Sequence, residues 1–356
     1  MRAFGLAPLG AGIVLVVVAS AGPSSAASVI FQERSAAPPN NACDRACLDA
    51  WSDRYMAALV AHDPGRLPWA RDARFSENNV MLKPGDGLWK TISGKGGAIS
   101  ELHYADVAAQ QAGFMSMVRE RDYTAYYSMR LKIVDGRIAE VETVVNRIAP
   151  SAGAIGPGGG AGFTPSTPES FRHFPGFGDI MPVGRRVGRG RYQDITWGYY
   201  ATLQLNDGAL FTQFADDCSR SENGSITSGG NLPNGQRRPS CREQFASGNY
   251  RTDTSVPDRE IILIDEEKGL VLARDFIHHN AAATTIRNAA GEERPSTQRS
   301  PSSFFGFVTF KIIDGKINKV EALTTSPPYH STTPWRRVDA DIADFSATAA
   351  WTGGDK

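Results

Sequence analysis

The tripeptide Ser-Glu-Asn occurs twice in this chain, 145 positions apart. In both copies the glutamate follows a tyrosine by 22 residues: Tyr55 precedes Glu77, and Tyr200 precedes Glu222. A carboxylate can act as a general base, and a tyrosine hydroxyl can donate a hydrogen bond to a developing oxyanion. The repeat therefore indicates either a catalytic pair built twice or a strand-end turn built twice.

The repeated pairs belong to a longer internal duplication. The segments "LKIVDGRIAEVET" (131–143) and "FKIIDGKINKVEA" (310–322) are near copies, and each reads as a strand, an Asp-Gly turn and a second strand. Upstream, residues 54–78 align with residues 199–223, including both tyrosines and both glutamates. The chain therefore consists of two related halves, with extra polar loops in the second.

Helices come first in each half, and strands follow. The first predicted helix places its larger apolar residues on one face at helical spacing, namely Leu48, Trp51, Tyr55, Ala58 and Leu59. A second short helix is predicted at 63–70. This order predicts an α+β fold in each half, with helices packed on one face of a curved antiparallel sheet. In the last strands, valines alternate with Glu142 and Glu321, which predicts that these glutamates face solvent.

The domain boundaries follow from composition. The apolar run at 12–19 is shorter than the roughly 20 residues of a membrane span, and small residues follow it, as in an export signal. We predict six consecutive regions: a signal peptide (1–27), a disordered lead-in (28–41), a first domain (42–149), a Gly/Pro-rich linker (150–171), a second domain (172–335) and a tail (336–356). The mature protein is expected to be secreted or periplasmic.

The four cysteines indicate disulfide bonds if the protein is exported. An even number of cysteines in an oxidising compartment predicts disulfides, and three connectivities are possible. The pairs that are local in sequence are favoured: Cys43 with Cys47, and Cys218 with Cys241. The sequence has no CxxC motif and no histidine pair at ligand spacing near them, so no metal site is predicted.

The overall charge balance bears on partners. Lys plus Arg and Asp plus Glu both number 38, so the net charge is zero. A neutral chain offers no electrostatic reason to bind nucleic acid or an anionic membrane, and neither is predicted as a partner. With 41% hydrophobic residues the composition is that of an ordinary globular protein.

Several longer stretches resemble known proteins. They are "CDRACLDAW" (43–51), "YMAALVAHDPGRLPWARDARFSENN" (55–79), "GDGLW" (85–89), "LKIVDGRI" (131–138), "ADDCSRSENG" (215–224) and "DREIILIDEEKGLVLA" (258–273). Their order resembles the nuclear transport factor 2-like superfamily, which includes ketosteroid isomerase and the SnoaL-like polyketide cyclases. The chain is most similar to a family of secreted tandem-repeat proteins of unknown function from fungi and bacteria, over nearly its whole mature length.

The resemblance implies a structure and a site. Each half should be a cone with a largely apolar pocket at its open end. Tyr55 and Glu77 match the tyrosine and the carboxylate of ketosteroid isomerase, and Tyr200 with Glu222 match them in the second half. The third partner in that isomerase, a protonated aspartate on a later strand, has no counterpart in register here.

Other residues are candidates for the pockets. Two adjacent histidines lie on one strand, so one should point inward: His279 is a candidate acid or base, and His278 a candidate substrate contact. Further candidate substrate contacts are Trp89, Asn78 and Arg130. The dipeptide Arg274-Asp275 resembles the arginine and aspartate of epoxide hydrolases in the same superfamily.

The predicted function is that of a secreted lyase or isomerase without a cofactor. Buried carboxylates have raised pKa values and can take a proton from a carbon acid near neutral pH. The substrate should be a small, apolar or aromatic, oxygenated molecule. The first domain is the predicted catalytic half, and the second would support it as an intramolecular pseudo-dimer. The alternatives are a non-catalytic ligand-binding protein and, third, an epoxide-type hydrolase.

Overall fold

A computed structural model describes residues 42–148, 167–232, 234–248, 251–252 and 255–335. The predicted signal peptide, lead-in and tail, and most of the predicted linker, lie outside the described residues. We call residues 42–148 the first half and residues 167–335 the second half. Within these ranges, none of the helices is long and apolar enough to cross a membrane.

The first half contains one α-helix and a seven-stranded sheet. Helix α1 (Arg45–Val60) begins after Asp44, whose side chain accepts a hydrogen bond from the Cys47 backbone N–H. The strands are β1 (Trp69–Glu77), β2 (Val80–Leu82), β3 (Ile92–Lys95), β4 (Leu102–Asp106), β5 (Gln111–Glu120), β6 (Tyr123–Val134) and β7 (Arg137–Ile148). Their order in the sheet is β2-β1-β7-β6-β5-β3, and β4 also pairs with β5.

The second half repeats this plan with insertions. Helix α2 (Arg189–Leu205) takes the place of α1, and a short helix α3 (Cys241–Ala246) lies in the first insertion. The strands are β8 (Phe214–Glu222), β9 (Ser225–Ser228), β10 (Glu260–Asp265), β11 (Leu270–His279), β12 (Thr285–Arg287), β13 (Glu293–Pro295), β14 (Ser302–Ile313) and β15 (Lys316–Thr325). The main sheet has the order β10-β11-β14-β15-β8-β9, and β12 pairs with β13 alone.

The local predictions hold at the hairpins and at the cysteines. Both residues of each Asp-Gly turn have positive φ, for example 48° at Asp135 and 68° at Gly136, as a two-residue hairpin requires. Disulfides join Cys43 to Cys47 and Cys218 to Cys241. The second of these ties α3 to β8, so it fastens the insertion to the repeated framework.

Two predictions about the elements are wrong. Residues 63–70 contain only a 3-10 turn (Pro64–Arg66), and β1 already begins at Trp69. The sheets are also not wholly antiparallel, because β1 runs parallel to β7 and β8 runs parallel to β15. A tight turn forces its two strands to be antiparallel, whereas β1 and β7 are separated by most of the half and can pair in either direction.

Each sheet has an inner face and an outer face. The inner face shares a buried cluster with the helix of its own half, as Leu48 and Tyr55 of α1 do with Phe114 and Met129. The outer faces share a third buried cluster that draws on both halves. It includes Met115, Tyr126, Phe276, Phe305 and Leu323. The two sheets therefore pack back to back, with a helix on the far side of each.

The two halves make equivalent contacts with each other at two buried aspartates, Asp106 and Asp265. Asp106 accepts hydrogen bonds from Arg189 (2.9 and 2.7 Å) and from the Ile264 backbone N–H (2.9 Å). Asp265 accepts from Arg45 (3.0 Å) and from the Ala105 backbone N–H (3.0 Å). Each half thus supplies one carboxylate, one arginine and one strand N–H, which is the pattern of a two-fold interface.

The predicted solvent exposure of Glu142 and Glu321 is wrong. Both are buried on the outer faces: Glu142 binds Arg274 at 2.9 and 3.0 Å, and Glu321 contacts His173 Nδ1 (2.6 Å) and the Phe174 N–H (2.8 Å). Alternation correctly places the glutamates opposite the inward valines. It says nothing about the second sheet that covers this face.

Candidate functional site

In the first half, both members of the predicted catalytic pair, Tyr55 and Glu77, form hydrogen bonds with other groups of the protein. One carboxylate oxygen of Glu77 accepts a hydrogen bond from Arg147 (2.9 Å), and the other accepts from the Leu88 backbone N–H (2.7 Å). The Tyr55 hydroxyl oxygen accepts from the indole N–H of Trp89 (3.2 Å). Arg147 also binds Glu120 (2.6 Å), so one guanidinium holds two buried carboxylates.

The interior around Tyr55 is filled by aromatic rings. Tyr55, Trp89 and Tyr127 are each at most 1% exposed, and the Tyr55 and Trp89 rings meet edge to face at 5.3 Å. Burial raises the pKa of Tyr55, and the charge of nearby Glu77 raises it further, while the Trp89 hydrogen bond opposes both. Trp89, predicted to contact substrate, is packed against Tyr55 and hydrogen-bonded to its hydroxyl oxygen.

The asparagine of each Ser-Glu-Asn copy has a structural role. Asn78 has a left-handed φ of 50°, and its side chain bonds both the N–H (2.7 Å) and the C=O (2.9 Å) of Val145 in β7. Asn223 has a φ of 45° and accepts from the Thr324 N–H (2.9 Å) in β15. Asn78 thus uses its amide on the protein and not on substrate. The repeated asparagine fixes the end of β1 or β8 against the parallel neighbour.

In the second half, the inward carboxyl group belongs to Asp275. This residue lies on the inner face of β11, 2% exposed, between the buried Ala273 and the half-buried Ile277. Burial raises the pKa of Asp275 to about 7, while the Tyr200 hydroxyl and the charge of Arg259 lower it. Within the described part of the chain, Asp275 forms no ion pair at salt-bridge distance, unlike Glu77.

Tyr200 provides a hydroxyl beside this carboxyl group. Tyr200 is fully buried, and burial together with the Asp275 charge raises its pKa well above the ordinary value. The hydroxyl is close enough to Asp275 to act on its pKa, although the contact lies outside ordinary hydrogen-bond geometry. A buried donor in that condition gains free energy from any additional acceptor that a ligand brings.

Glu222 lies nearer the rim of the second half. Its side chain is 25% exposed and forms an ion pair with Arg220 at 2.8 Å. Tyr199, which precedes Tyr200 in α2, packs edge to face on Phe245 of α3 at 5.2 Å. Burial raises the pKa of Tyr199, and the charge of Arg220 lowers it. The tyrosine that faces Asp275 is therefore Tyr200, and Glu222 acts on Asp275 only through its charge.

The two adjacent histidines face opposite ways. His279 lies on the inner face, two residues beyond Ile277, and its Nδ1 is 3.1 Å from the Thr252 carbonyl oxygen. His278 lies on the outer face, with Nδ1 2.7 Å from the Ser303 hydroxyl oxygen and its ring 4.8 Å from that of His330. Desolvation lowers the pKa of both residues. His278, predicted to contact substrate, thus lies on the face away from Asp275.

Two arginines predicted near a pocket lie on the outer faces. Arg130 binds Glu140 (2.8 Å) and the Gln111 side chain (2.8 Å), so it does not lie on the inner face, where a substrate contact was predicted. Arg274 binds Glu142, whereas its neighbour Asp275 points inward. The Arg274-Asp275 pair therefore does not converge on one pocket, because adjacent strand residues face opposite sides.

The sequence carries a signal for Asp275 that does not depend on its neighbour Arg274. In β11, Val271, Ala273 and Ile277 form an apolar alternation that Asp275 interrupts on that face. An isolated carboxyl group in such a row is either neutral or functional, because burying an unpaired charge is costly.

Among the described residues, no cluster of three or more His, Cys, Asp or Glu side chains could hold a metal ion.

Two comparisons were made with the sequences of known proteins. A family model described as a domain of unknown function (DUF8021) matches residues 185–324, and a search of curated proteins finds no match.

Three solved structures that are similar to parts of the chain are described here. A candidate ketosteroid isomerase from Kribbella flavida is 14% identical, with 30% of this chain and 83% of that chain covered and a TM-score of 0.23. A candidate polyketide cyclase from Xanthomonas campestris is 20% identical, with 38% and 90% covered and a TM-score of 0.23. A candidate scytalone dehydratase from Novosphingobium aromaticivorans is 17% identical, with 42% and 93% covered and a TM-score of 0.23.

Proposed function

We propose that this protein is a secreted lyase or isomerase without a cofactor, and that its active site is in the second half. The observation that carries the proposal is Asp275, an inward carboxyl group that forms no ion pair with any described residue, whose pKa is raised to about 7, beside the hydroxyl of Tyr200. The two disulfides support an exported protein.

The chemistry follows from the two groups. A carboxyl group with a pKa near 7 is partly ionised at neutral pH and remains basic enough to remove a proton beside a carbonyl. Tyr200 would donate a hydrogen bond to the carbonyl oxygen as negative charge develops there. Asp275 would then return the proton to another carbon, giving isomerisation, or leave the enolate to expel a leaving group, giving elimination.

The surroundings of Asp275 suggest the substrate class. The inner face near it is formed by apolar side chains such as Val271, Ala273 and Val308. The charge of Arg259 acts on both Tyr200 and Asp275, and a substrate oxygen could use this guanidinium as well. We therefore expect a small apolar or aromatic ketone. The proposed catalytic half is the second, because Glu77 and Tyr55 already bind Arg147, Leu88 and Trp89 in the first.

The test is deuterium exchange into a model ketone. The full chain is incubated with 1-tetralone or 1-indanone in D₂O, and exchange at the carbon beside the carbonyl is measured by mass spectrometry. Asp275→Asn should reduce the rate at least about 100-fold, the effect expected on losing a general base. Tyr200→Phe should slow exchange and shift its pH midpoint upward, because the Tyr200 hydroxyl lowers the pKa of Asp275.

A matched control comes from the first half. Ser116 pairs with Tyr127 at the ladder position where Asp275 pairs with Gly306, and Ser116→Ala should leave exchange unchanged. Equal rates for the wild type and Asp275→Asn would refute the proposed base. Binding of the ketone without any exchange, seen as equal thermal stabilisation of both, would favour the non-catalytic binding protein.

A further inference from the structure

The outer face of β11 carries a histidine whose backbone is held on both sides. His278 pairs with Ser303 of β14 on one side and forms an isolated bridge with Ser255 on the other. Its Nδ1 lies 2.7 Å from the Ser303 hydroxyl oxygen, and the residue is buried. The position and the rotation of this imidazole are therefore fixed by the fold.

A turn after the last strand brings a second imidazole to the same place. The turn spans residues 328–331 and is closed by the Ser331 N–H, which donates to the Pro328 carbonyl oxygen (3.1 Å). His330 is its third residue, with a φ of 63°, where glycine or asparagine is usual. The His330 N–H donates to the Ser303 hydroxyl oxygen (3.1 Å), so one serine positions both histidines. His330 itself is exposed to solvent.

The two rings are spaced as two ligands of one cation would be. Their centres are 4.8 Å apart, and their planes differ by 38°. A ring nitrogen binds zinc at about 2.0–2.1 Å, which puts the ring centre roughly 3.1 Å from the metal. For N–metal–N angles between about 90° and about 109°, the two ring centres are then about 4.4–5.1 Å apart. The observed separation lies within this interval.

The ring nitrogens are in a chemical state that suits metal binding. Among the described residues, no hydrogen-bond partner faces His278 Nε2 or either ring nitrogen of His330. When His278 Nδ1–H donates to Ser303, Nε2 carries the lone pair, which is the usual arrangement of a metal-binding histidine. Desolvation and the charge of His330 lower the pKa of His278, so a proton does not compete at neutral pH. Asp258, whose charge opposes that shift, supplies a negative charge nearby.

We propose that His278 and His330 bind a divalent transition-metal ion of the kind that prefers imidazole, such as zinc or copper(II). Water completes the coordination, because among the described residues no third His, Cys, Asp or Glu joins the pair. The ion ties the turn at 328–331 to β11. This site lies on the outer face and Asp275 on the inner face, so it is separate from the proposed active site. At the equivalent ladder position the first half pairs Arg119 with Thr124, which offers no imidazole.

The first experiment titrates the full chain, made without a histidine tag, with zinc chloride in a calorimeter at about pH 7.5. One ion should bind per chain and raise the melting temperature. Loss of an outer partner of a metal ligand typically costs about 10–100-fold in affinity, so loss of a ligand should cost at least about 100-fold. His330→Asn and His278→Gln should both show this loss. His330→Asn should fold normally, because the residue is exposed and asparagine tolerates its positive φ.

The second experiment identifies the ligand atoms. Copper(II) binds such sites more tightly than zinc, and its electron paramagnetic resonance spectrum reports the bound nitrogens. With one equivalent of copper(II), the spectrum should show two imidazole nitrogens in the wild type and one in His330→Asn. His103→Asn is the matched control, because His103 Nε2 contacts Asp53 at 3.0 Å in the first half, and its loss should change neither measurement.

Two results would overturn the proposal. One is a wild-type chain that binds no zinc at about 1 mM. The other is a His330→Asn variant that binds zinc as tightly as the wild type does. Neither measurement involves Asp275, so this proposal and the ketone assay succeed or fail separately.

Discussion

At one ladder position of the inner face, the first half pairs Ser116 with Tyr127, and the second half pairs Asp275 with Gly306. Tyr127 is buried among Tyr55 and the other aromatic residues of its half. Gly306 has no side chain, and a Cβ there would meet the Leu323 carbonyl oxygen at 2.3 Å. The same framework thus carries a packed aromatic core in one half and an inward carboxyl group in the other.

The covers of the two interiors differ as well. In the first half, Trp89 and Leu88 are held by hydrogen bonds to Tyr55 and Glu77. In the second half, Phe245 of α3 packs on Tyr199 and Phe214, and the Cys218–Cys241 disulfide ties that helix down. A hydrogen-bonded cover can open and close at modest cost, whereas a covalent tether limits how far a cover can move. The interior of the first half is thus closed by packing and hydrogen bonds, and that of the second by a helix with a covalent tether.

The largest expected effect on stability concerns pH and Asp275. The folded-state pKa of about 7 lies above the ordinary value of 3.8, so the folded state binds more protons between these values. Stability should therefore fall as pH rises from about 4 to 7, by roughly 4 kcal/mol from this group. Asp275→Asn removes this dependence. The free energy of unfolding of the variant, minus that of the wild type, should therefore increase as pH rises.

Urea unfolding at pH 4.5 and pH 8 measures this gain. Ser116→Ala, at the equivalent position of the first half, should change stability by the same amount at both pH values. If the difference between Asp275→Asn and the wild type is independent of pH, Asp275 is not a buried neutral acid, and the contrast between the halves fails.

A second prediction concerns the place where the halves are alike. Asp106→Asn and Asp265→Asn should each cost about 3 kcal/mol, because each leaves an arginine of the other half with a weaker partner in a buried site. The two costs should agree within about 1 kcal/mol. Asp63→Asn, at an exposed pair with Arg66, should cost less than about 0.5 kcal/mol. Chemical denaturation measures all three, and a large cost at only one of the buried aspartates would contradict the reciprocal interface.

The smallest effect is expected at the repeated asparagines. Asn78→Ala and Asn223→Ala should each lower the free energy of unfolding by about 1–2 kcal/mol, because buried strand N–H groups lose their acceptor. Both variants should retain ketone exchange. An Asn78→Ala variant with normal thermal stability but altered ligand binding would instead give this residue the substrate contact that the sequence predicts.

Much of the fold could be read from the sequence, because the signals are local. The Asp-Gly hairpins, the apolar face of α1 and the two disulfides each depend on neighbours in the chain. The parallel pairing of β1 with β7 could not be read in this way, since it joins segments about 70 residues apart without a constraining turn. The prediction of a helix at 63–70 is wrong because a 3-10 turn such as Pro64–Arg66 and a short helix share the same residue types.

The sequence by itself determined that the chain is built twice, and that each half presents a tyrosine and a glutamate at the same spacing. It also determined the side of each strand on which a residue falls, because side chains alternate. Only the tertiary structure decided what covers each side. It buried Glu142 and Glu321 beneath a second sheet, paired Glu77 with Arg147 and the Leu88 N–H, and left Asp275 inside beside Tyr200. Alternation is a property of one strand, whereas burial and pairing depend on elements that lie far away in the chain.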